Sequence, residues 1–588
     1  AGFSEIGPEG KEREDIIKKI AAEKNLNILG PNCLGFIIPK LKLNASFAGG
    51  MPKDGNIAFI SQSGALAVGI MDIAEKKDIR FSSLISIGNK MDLDEAKILE
   101  YLADDTNTRV IGMYLEGIKN GRKFIEIASA VSKKKPIVIL KAGKTEKSQK
   151  AISSHTGALA GSDEIISAVF QKCGIIRVEN LGEFFDTLNL ISETEAPRTE
   201  NVTIITNAGG PGVLTTDAFF GKNLQLSELT PKTKNALEKI LPAESSLENP
   251  IDLLGDAHED RYSKTLNLIG KDRNIGSIIS VLTPQDQTPV SKIAKKIISF
   301  KKKTDKNIST VFIGGKRVEK AIKKFRENDI PNFEYPDQAI LALNYYYDWD
   351  MEKYRIIPKE SINIKRKNNI SEVLKKARSE GRKALYFEEA SKIMDMYEIK
   401  TAASWEYSGT LDLEKIKYPV VVKVDSDKVL HKTDKKGLVL DIKSKEDLEK
   451  SVMGIGSNFP GEKIIIQPML KKQTELILGI KKDEVFGPVI VYGLGGIYTE
   501  VIKMVNFLVP PLDIEEIKKN LSESKIKFLF SKTRGQESYD IDELAKIILE
   551  ISQFAVENNE EFSEFDINPL LIYNDGGNAI AVDIKIIF

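Results

Sequence analysis

An apolar strand that runs into a short turn of serine, asparagine or glycine, and from there into an apolar helix, occurs twice in this chain. The two stretches are GNIAFISQSGALAVGIMDIAEKK (55–77) and NVTIITNAGGPGVLTTDAF (201–219). A strand followed by a helix rejoins its own sheet by a crossover, and crossovers join parallel strands. The pattern therefore commits the chain to an α/β architecture, and its recurrence suggests two related domains. The spacing predicts strand Asn56–Ile60, a turn over Ser61–Gly64 and a helix from Ala65. In the second copy it predicts strand Val202–Thr206, a turn from Asn207 to Gly212, and a helix. Each turn leaves backbone N–H groups at the positive end of a helix dipole, so Ser63, Gly64, Gly209, Gly210 and Gly212 are candidate phosphate contacts. Many α/β turns look like this and bind nothing.

More strand–helix units follow the first copy: FSSLISIG with a helix over 92–104, RVIGMYLEG with a helix over 121–134, and PIVILKAG with a helix over 162–173. RVIGMYLEG ends in Glu116, at the carboxyl edge where α/β sheets place ligands. GSIISVLT (276–283) and STVFIGG (309–315) extend the second series. AGKT (142–145) is not a Walker A loop, because Val138 stands where its first glycine must fall. Ahead of all this, residues 11–24 read as a helix and NLNILGPNCLGF as a short strand with a Gly-Pro-Asn loop, the tail of a βαβ unit. The first residue is Ala1, and AGFSEIGPEG reads as the interior of a domain.

At 588 residues the chain suggests about four domains. EAPRTE (195–200) and residues 351–370 read as linkers. Lys plus Arg equals Asp plus Glu at 85 each, which leaves no electrostatic case for nucleic acid or an acidic membrane. No apolar run approaches the roughly 20 residues that span a bilayer. Two cysteines, Cys33 and Cys173, make neither a disulfide framework nor a zinc site and suit a reducing, cytoplasmic compartment.

The last third changes character. After helices around 371–398, YPVVVKVDS buries Lys423 inside an apolar strand, where an ammonium needs an anionic partner. HKTDKKGLVL follows with His431 and a turn at Gly437, then KIIIQPML, TELILGIKKD and the Gly-rich GPVIVYGLGGIYTEV. FDINPLLI and AIAVDIKII form a terminal strand pair carrying Asp566, Asn568 and Asp583. Two carboxylates and an amide oxygen can hold Mg²⁺ between nucleotide phosphates, although the same residues also form turns. His155, one of three histidines, stands among small residues in SSHTGALAG (153–161). Hydroxyls and backbone N–H groups there can line an anion pocket, as a phosphoryl-carrying imidazole requires, while a plain surface loop has the same composition. His258, beside Glu259, Asp260 and Arg261, reads as a surface residue.

The ordered motifs GPNCLG, SQSGALA, YLEG, SSHTGALAG, NAGGPG, NPIDLLGDA, YPVVVK, HKTD, FGPVIVYGLGG and FDINPLL resemble the NDP-forming acyl-CoA synthetases, and among them the ADP-forming acetyl-CoA branch with both subunits fused. The resemblance implies an α/β multidomain chain. Its parts are a C-terminal remnant of a Rossmann CoA-binding domain (1–50), two flavodoxin-like domains of the succinyl-CoA synthetase kind (51–197 and 198–358) and an ATP-grasp domain (359–588). It implies the reaction acyl-CoA + ADP + phosphate ⇌ acid + CoA + ATP, with Mg²⁺, in a cytoplasmic homodimer. On this resemblance His155 is the phosphorylated histidine, Glu116 the carboxylate that orients it, and His431 a second histidine that relays the phosphoryl group. Lys423, Glu475, Gly495 and Arg534 fall in nucleotide-contacting motifs, Asn568 and Asp583 match Mg²⁺ ligands, and Asn32 matches the edge of the CoA and acyl-phosphate site. Lys436–Gly437 replaces a usual glycine pair, and on this resemblance the opening residues read as only the end of the CoA-binding domain, without its first half or more. A succinate–CoA ligase is a sibling reading, though that branch usually lacks the HKTD histidine. A nucleotide- or acyl-CoA-sensing protein without turnover is a reading from another class. A protein acetyltransferase built on the scaffold would need an additional domain.

Overall fold

The computed structural model describes residues 2–145, 147–150, 162–353, 370–408, 416–428, 436–471, 473–495, 504–532, 538–573 and 579–588. The chain divides into two compact units, Ala1–Asp163 with Phe170–Arg355, and Ile356–Phe588 with Glu164–Val169.

The first unit holds two sheets. The first comprises β1 (Gly35–Ile38), β2 (Leu43–Ser46), β3 (Asp54–Ser61), β4 (Phe81–Ser86), β5 (Val110–Leu115), β6 (Ile137–Lys141) and β7 (Ile176–Val178), in the order β2-β1-β4-β3-β5-β6-β7. β3 to β7 pair with one another in parallel, and β1 runs antiparallel to β2 and β4. Every residue of β4 and β6 is buried, as continuous apolar strands of a doubly covered sheet require. The second sheet comprises β8 (Asn201–Thr206), β9 (Gln225–Leu226), β10 (Ile251–Asp252), β11 (Ser277–Leu282), β12 (Asn307–Phe312) and β13 (Asn332–Phe333). Its order is β10-β8-β11-β12-β13, with β9 on β8, and all its pairs are parallel. Both strand series form the parallel strand arrangement that the strand–turn–helix pattern predicts.

One core joins the two sheets. Phe59, Phe81, Phe184 and Leu188 of the first layer share a buried cluster with Ile204, Ile279 and Val311 of the second and with Tyr346 and Trp349 of the helix Pro336–Glu352. EAPRTE consequently does not behave as a free linker. Arg109 donates to the Ile191 carbonyl at 2.8 Å and pairs with Glu195 at 3.0 Å, while Asn307 Nδ2 donates to the Glu195 carbonyl at 2.8 Å. Polar composition signals exposure only until other side chains claim the backbone.

Three local expectations need correcting. The first helix starts at Pro8, where proline suits an opening helical turn. NLNIL forms no strand; the strand comes after the Gly-Pro-Asn loop, at Gly35–Ile38, and the hairpin over Gly35–Ser46 adds to the edge of the first sheet. The sheet thus extends across the boundary expected at residue 50. The helix of the second copy begins at Gly209, so Gly209 to Gly212 form its first turn rather than a loop before it.

The second unit is antiparallel. β14 (Trp405–Glu406), β15 (Val420–Asp425), β16 (Leu438–Ile442) and β17 (Lys463–Pro468) form one sheet in the order β14-β17-β15-β16. β18 (Thr474–Asp483), β19 (Gly487–Leu494), β20 (Val505–Leu508), β21 (Glu564–Ile572), β22 (Ile580–Ala581) and β23 (Ile584–Ile587) form another, with β22 and β23 both on β21. The helices Phe387–Met396, Ile514–Glu523 and Ile541–Glu557 bury their apolar faces against this second sheet. Among the described residues, no helix is long and apolar enough to cross a membrane.

Candidate active site

In the first unit the expected residues gather at the carboxyl edge of the first sheet. Ser63 caps the helix Gly64–Lys77, its hydroxyl accepting from Leu66 N–H at 3.3 Å, and the Ser61 hydroxyl donates to the Ser63 carbonyl at 2.7 Å. The register places the end of β5 between β3 and β6, so Glu116 emerges beside this turn. Gln62 Oε1 accepts the N–H of Glu116 at 2.9 Å and of Gly117 at 3.2 Å. Lys141, at the end of β6, donates to the Glu116 carbonyl at 2.8 Å and also reaches that of Ala142. Lys90 donates to the Gly117 carbonyl at 2.6 Å and pairs with Glu95 at 3.0 Å. Glu116 is buried, with 8% of its surface exposed. Burial, then the Glu116 charge, pushes the neighbouring Tyr114 phenol up to about 12. Burial pulls the Lys141 ammonium down to about 8.

The Gly-Pro-Asn loop joins this edge. Leu34 N–H donates to Ser86 Oγ at 3.1 Å, and Asn32 Nδ2 lies 3.4 Å from Asn89 Oδ1. Gly88, at φ +52°, lets the two loops touch, since a Cβ there would sit 2.3 Å from the Pro31 carbonyl oxygen. Asn32, Ser63, Gly64 and Glu116 are therefore brought to one sheet edge.

The second sheet repeats the arrangement with one change. Thr206 Oγ1 brackets Ala208 as Ser61 brackets Ser63, and Asn207 bridges to Thr283 as Gln62 bridges to Glu116 and Gly117. The helix Gly209–Asp217 starts without a side-chain cap. Gly209 and Gly210 are exposed and Gly212 is buried. The Asp252 carboxylate lies 3.8 Å from where a Gly209 side chain would begin, so an anion at this helix end would share it with a negative charge.

In the second unit Lys423 is 3% exposed and finds the anion that its burial demands. Its ammonium lies 3.3 Å from Asp583 Oδ1, donates to the Val582 carbonyl at 2.9 Å and sits 4.6 Å above the Phe387 ring. Asn568 N–H donates to the Asp583 carbonyl at 3.1 Å, so Asn568 and Asp583 present oxygens from neighbouring chain segments. Burial pushes Asp566, two residues before Asn568, up to about 6. Glu475 and Gly495 meet through the Gly495 N–H, which donates to the Glu475 carbonyl at 2.8 Å. His155, His431 and Arg534 lie outside the described residues.

Sequence reasoning missed Gln62, Lys90 and Lys141. Lys141 carried a readable signal: PIVILKAG places a lysine in an apolar strand just as YPVVVKVDS does. Gln62 and Lys90 sit in turns, and only the strand register brings them to Glu116.

The first unit thus carries two parallel α/β layers with helix ends at their carboxyl edges, and the second an antiparallel fold in which a buried lysine pairs with an Asp. Family models agree. One described as a succinyl-CoA ligase like flavodoxin domain matches residues 54–191, a ligase-CoA domain matches 202–356 and an ATP-grasp domain matches 376–588. The chain is 35% identical, over 98% of its length and 84% of the relative's, to an ADP-forming acetate–CoA ligase of Archaeoglobus fulgidus. It is 33% identical, over its whole length and 86% of the relative's, to an ADP-forming 4-hydroxybutyrate–CoA ligase of Nitrosopumilus maritimus. Among solved structures it resembles the dinucleotide forming acetyl-coenzyme A synthetase 1 of Ca. Korarchaeum cryptofilum in complex with phosphate and ADP. There the TM-score is 0.58 at 34% identity, covering 60% of this chain and 76% of that one. This chain belongs to the ADP-forming acyl-CoA ligase family, and it is an enzyme of the acid–thiol ligase class.

Proposed function

We propose that the protein interconverts acyl-CoA, ADP and phosphate with the free acid, CoA and ATP through an acyl phosphate and a phosphohistidine. The observation that carries this reading is Glu116, a buried carboxylate whose backbone, with that of Gly117, is held by Gln62, Lys90 and Lys141 beside the helix end at Gly64. A carboxylate so fixed suits a neutral imidazole, accepting from one ring nitrogen while the other attacks phosphorus. His155 is the proposed nucleophile.

Phosphate held at Ser63–Gly64, with Gly209, Gly210 and Gly212 as the second helix end, would attack the thioester carbonyl and release CoA. Asn32 borders that site. Each helix end contributes about 0.3–1 kcal/mol to an exposed anion and up to about 2 when partly buried. His155 would then take the phosphoryl group and His431 would relay it towards ADP. Lys423, Glu475, Gly495 and Arg534 are the proposed nucleotide contacts. Asn568 and Asp583 fit Mg²⁺, since they pair an exposed amide with a partly exposed carboxylate, and Mg²⁺ takes few protein oxygens and fills its shell with phosphate and water. When bound, it would neutralise charge on the nucleotide phosphates.

Acetate is the proposed acid and the cytoplasm the proposed compartment, with a homodimer as the assembly. Relatives named for acetate and for 4-hydroxybutyrate show how far acid preference varies within the family. The test supplies ADP, phosphate and a panel of acyl-CoAs and follows thiol release. Release with acetyl-CoA first is expected, and no release with any thioester would defeat the proposal.

A further inference from the structure

We infer that Lys141 is a positioning residue for Glu116, its buried ammonium fixing the backbone from which the carboxylate that the reaction uses projects. The inference rests on the reading of Glu116 as the partner of His155. Four peptide groups are available around Glu116 and Gly117, and buried side chains take all four. Gln62 accepts from both N–H groups, Lys141 donates to the Glu116 carbonyl, and Lys90 donates to the Gly117 carbonyl. Lys141 is the best buried of the three, at 1% exposure. It also reaches the Ala142 carbonyl, so one ammonium ties the end of β5 to the start of the segment that leads towards residue 155.

A neutral donor could pin a carbonyl without the desolvation that a buried lysine entails. A cation adds charge where a phosphoryl group and a carboxylate are handled together. The charges that act on the ammonium are Asp163 at the start of the next helix, Arg177 on β7, Lys90 and Glu116. Its burial brings its titration down to about 8, within reach of an activity profile.

The test uses the full chain with K141M and K141R and two readouts. The first is amide hydrogen exchange at residues 116–118. K141M should exchange there about tenfold faster while the other strands of the first sheet keep their protection, and K141R should restore it. The second is acid-labile phosphate taken up from Mg-ATP between pH 6 and pH 10. The wild type should lose uptake as pH rises through about 8, the K141M rate should fall about tenfold without that limb, and K141R should carry the limb upward. Unchanged exchange at 116–118 in K141M, or the same alkaline limb in K141R as in the wild type, overturns the inference. If K141M does not fold, K141R decides by the limb alone. A wild type that takes up no phosphate refutes the phosphohistidine reading, and the exchange arm still judges Lys141.

Discussion

Lys141 and Lys423 are both lysines buried in apolar strands, Lys141 as the last residue of β6 and Lys423 within β15, and their partners differ. Lys423 donates to the Val582 carbonyl and also faces a carboxylate, Asp583, whose side chain is 29% exposed. Lys141 donates to backbone carbonyls and is enclosed. An ammonium paired with a half-open carboxylate can exchange that partner for a phosphate. An ammonium locked onto carbonyls holds geometry. On the function proposed above, the same residue type would serve as a ligand contact in one unit and as a support in the other.

Changes at the two ends should separate accordingly. The largest effect is expected from Glu116→Gln, which keeps the shape but loses the charge proposed to orient the imidazole. Phosphate uptake should fall by about 10²–10⁴-fold while ADP affinity stays unchanged, measured by acid-labile phosphate and by calorimetry. Lys423→Met should do the reverse, weakening ADP by about 10–100-fold while thiol release on the acyl side persists in single turnover. Equal losses in both half-reactions from both variants would break the distinction.

Smaller effects fall on stability. Burial, then the Asp329 charge, pushes Glu193 up to about 8 from 4.5. A carboxyl raised in the folded state stabilises below its unfolded value, and that contribution is lost as pH rises through about 8. Melting curves of the wild type should show this decline between those pH values, and Glu193→Gln should flatten it by about 1–3 kcal/mol. Lys141 has the opposite sign: its folded value is lowered, so its burial costs stability below about 8 and the cost is relieved as pH climbs towards 10.5. Smallest is Ser63→Ala, which removes a helix cap worth about 1 kcal/mol. Ala208→Ser at the uncapped second helix should gain a few tenths, up to about that amount.

Much of this site was legible as motifs. Glu116 was readable because a strand pattern that ends in an acid puts it at the carboxyl edge. Lys423 was readable because a lysine among valines demands a partner, and Asp583 supplies it. What grips Glu116 was not readable. Gln62 reaches it across 54 residues of chain and Lys141 across 25, and neither separation has a local signature.

The sequence by itself determined the parallel architecture of the first unit, because an apolar strand delivered to a helix has no other way back to its sheet. It also determined where helix ends and buried charges fall, since periodicity and turn chemistry act over a few residues. The tertiary structure alone decided that the hairpin over Gly35–Ser46 completes the first sheet, that EAPRTE is pinned into an interface, and that β5 lies between β3 and β6. Those outcomes depend on which strands pair. Pairing is chosen by burial summed over the whole unit, as in the cluster that joins Phe59 to Ile204 and Trp349, and no short stretch of residues contains that sum.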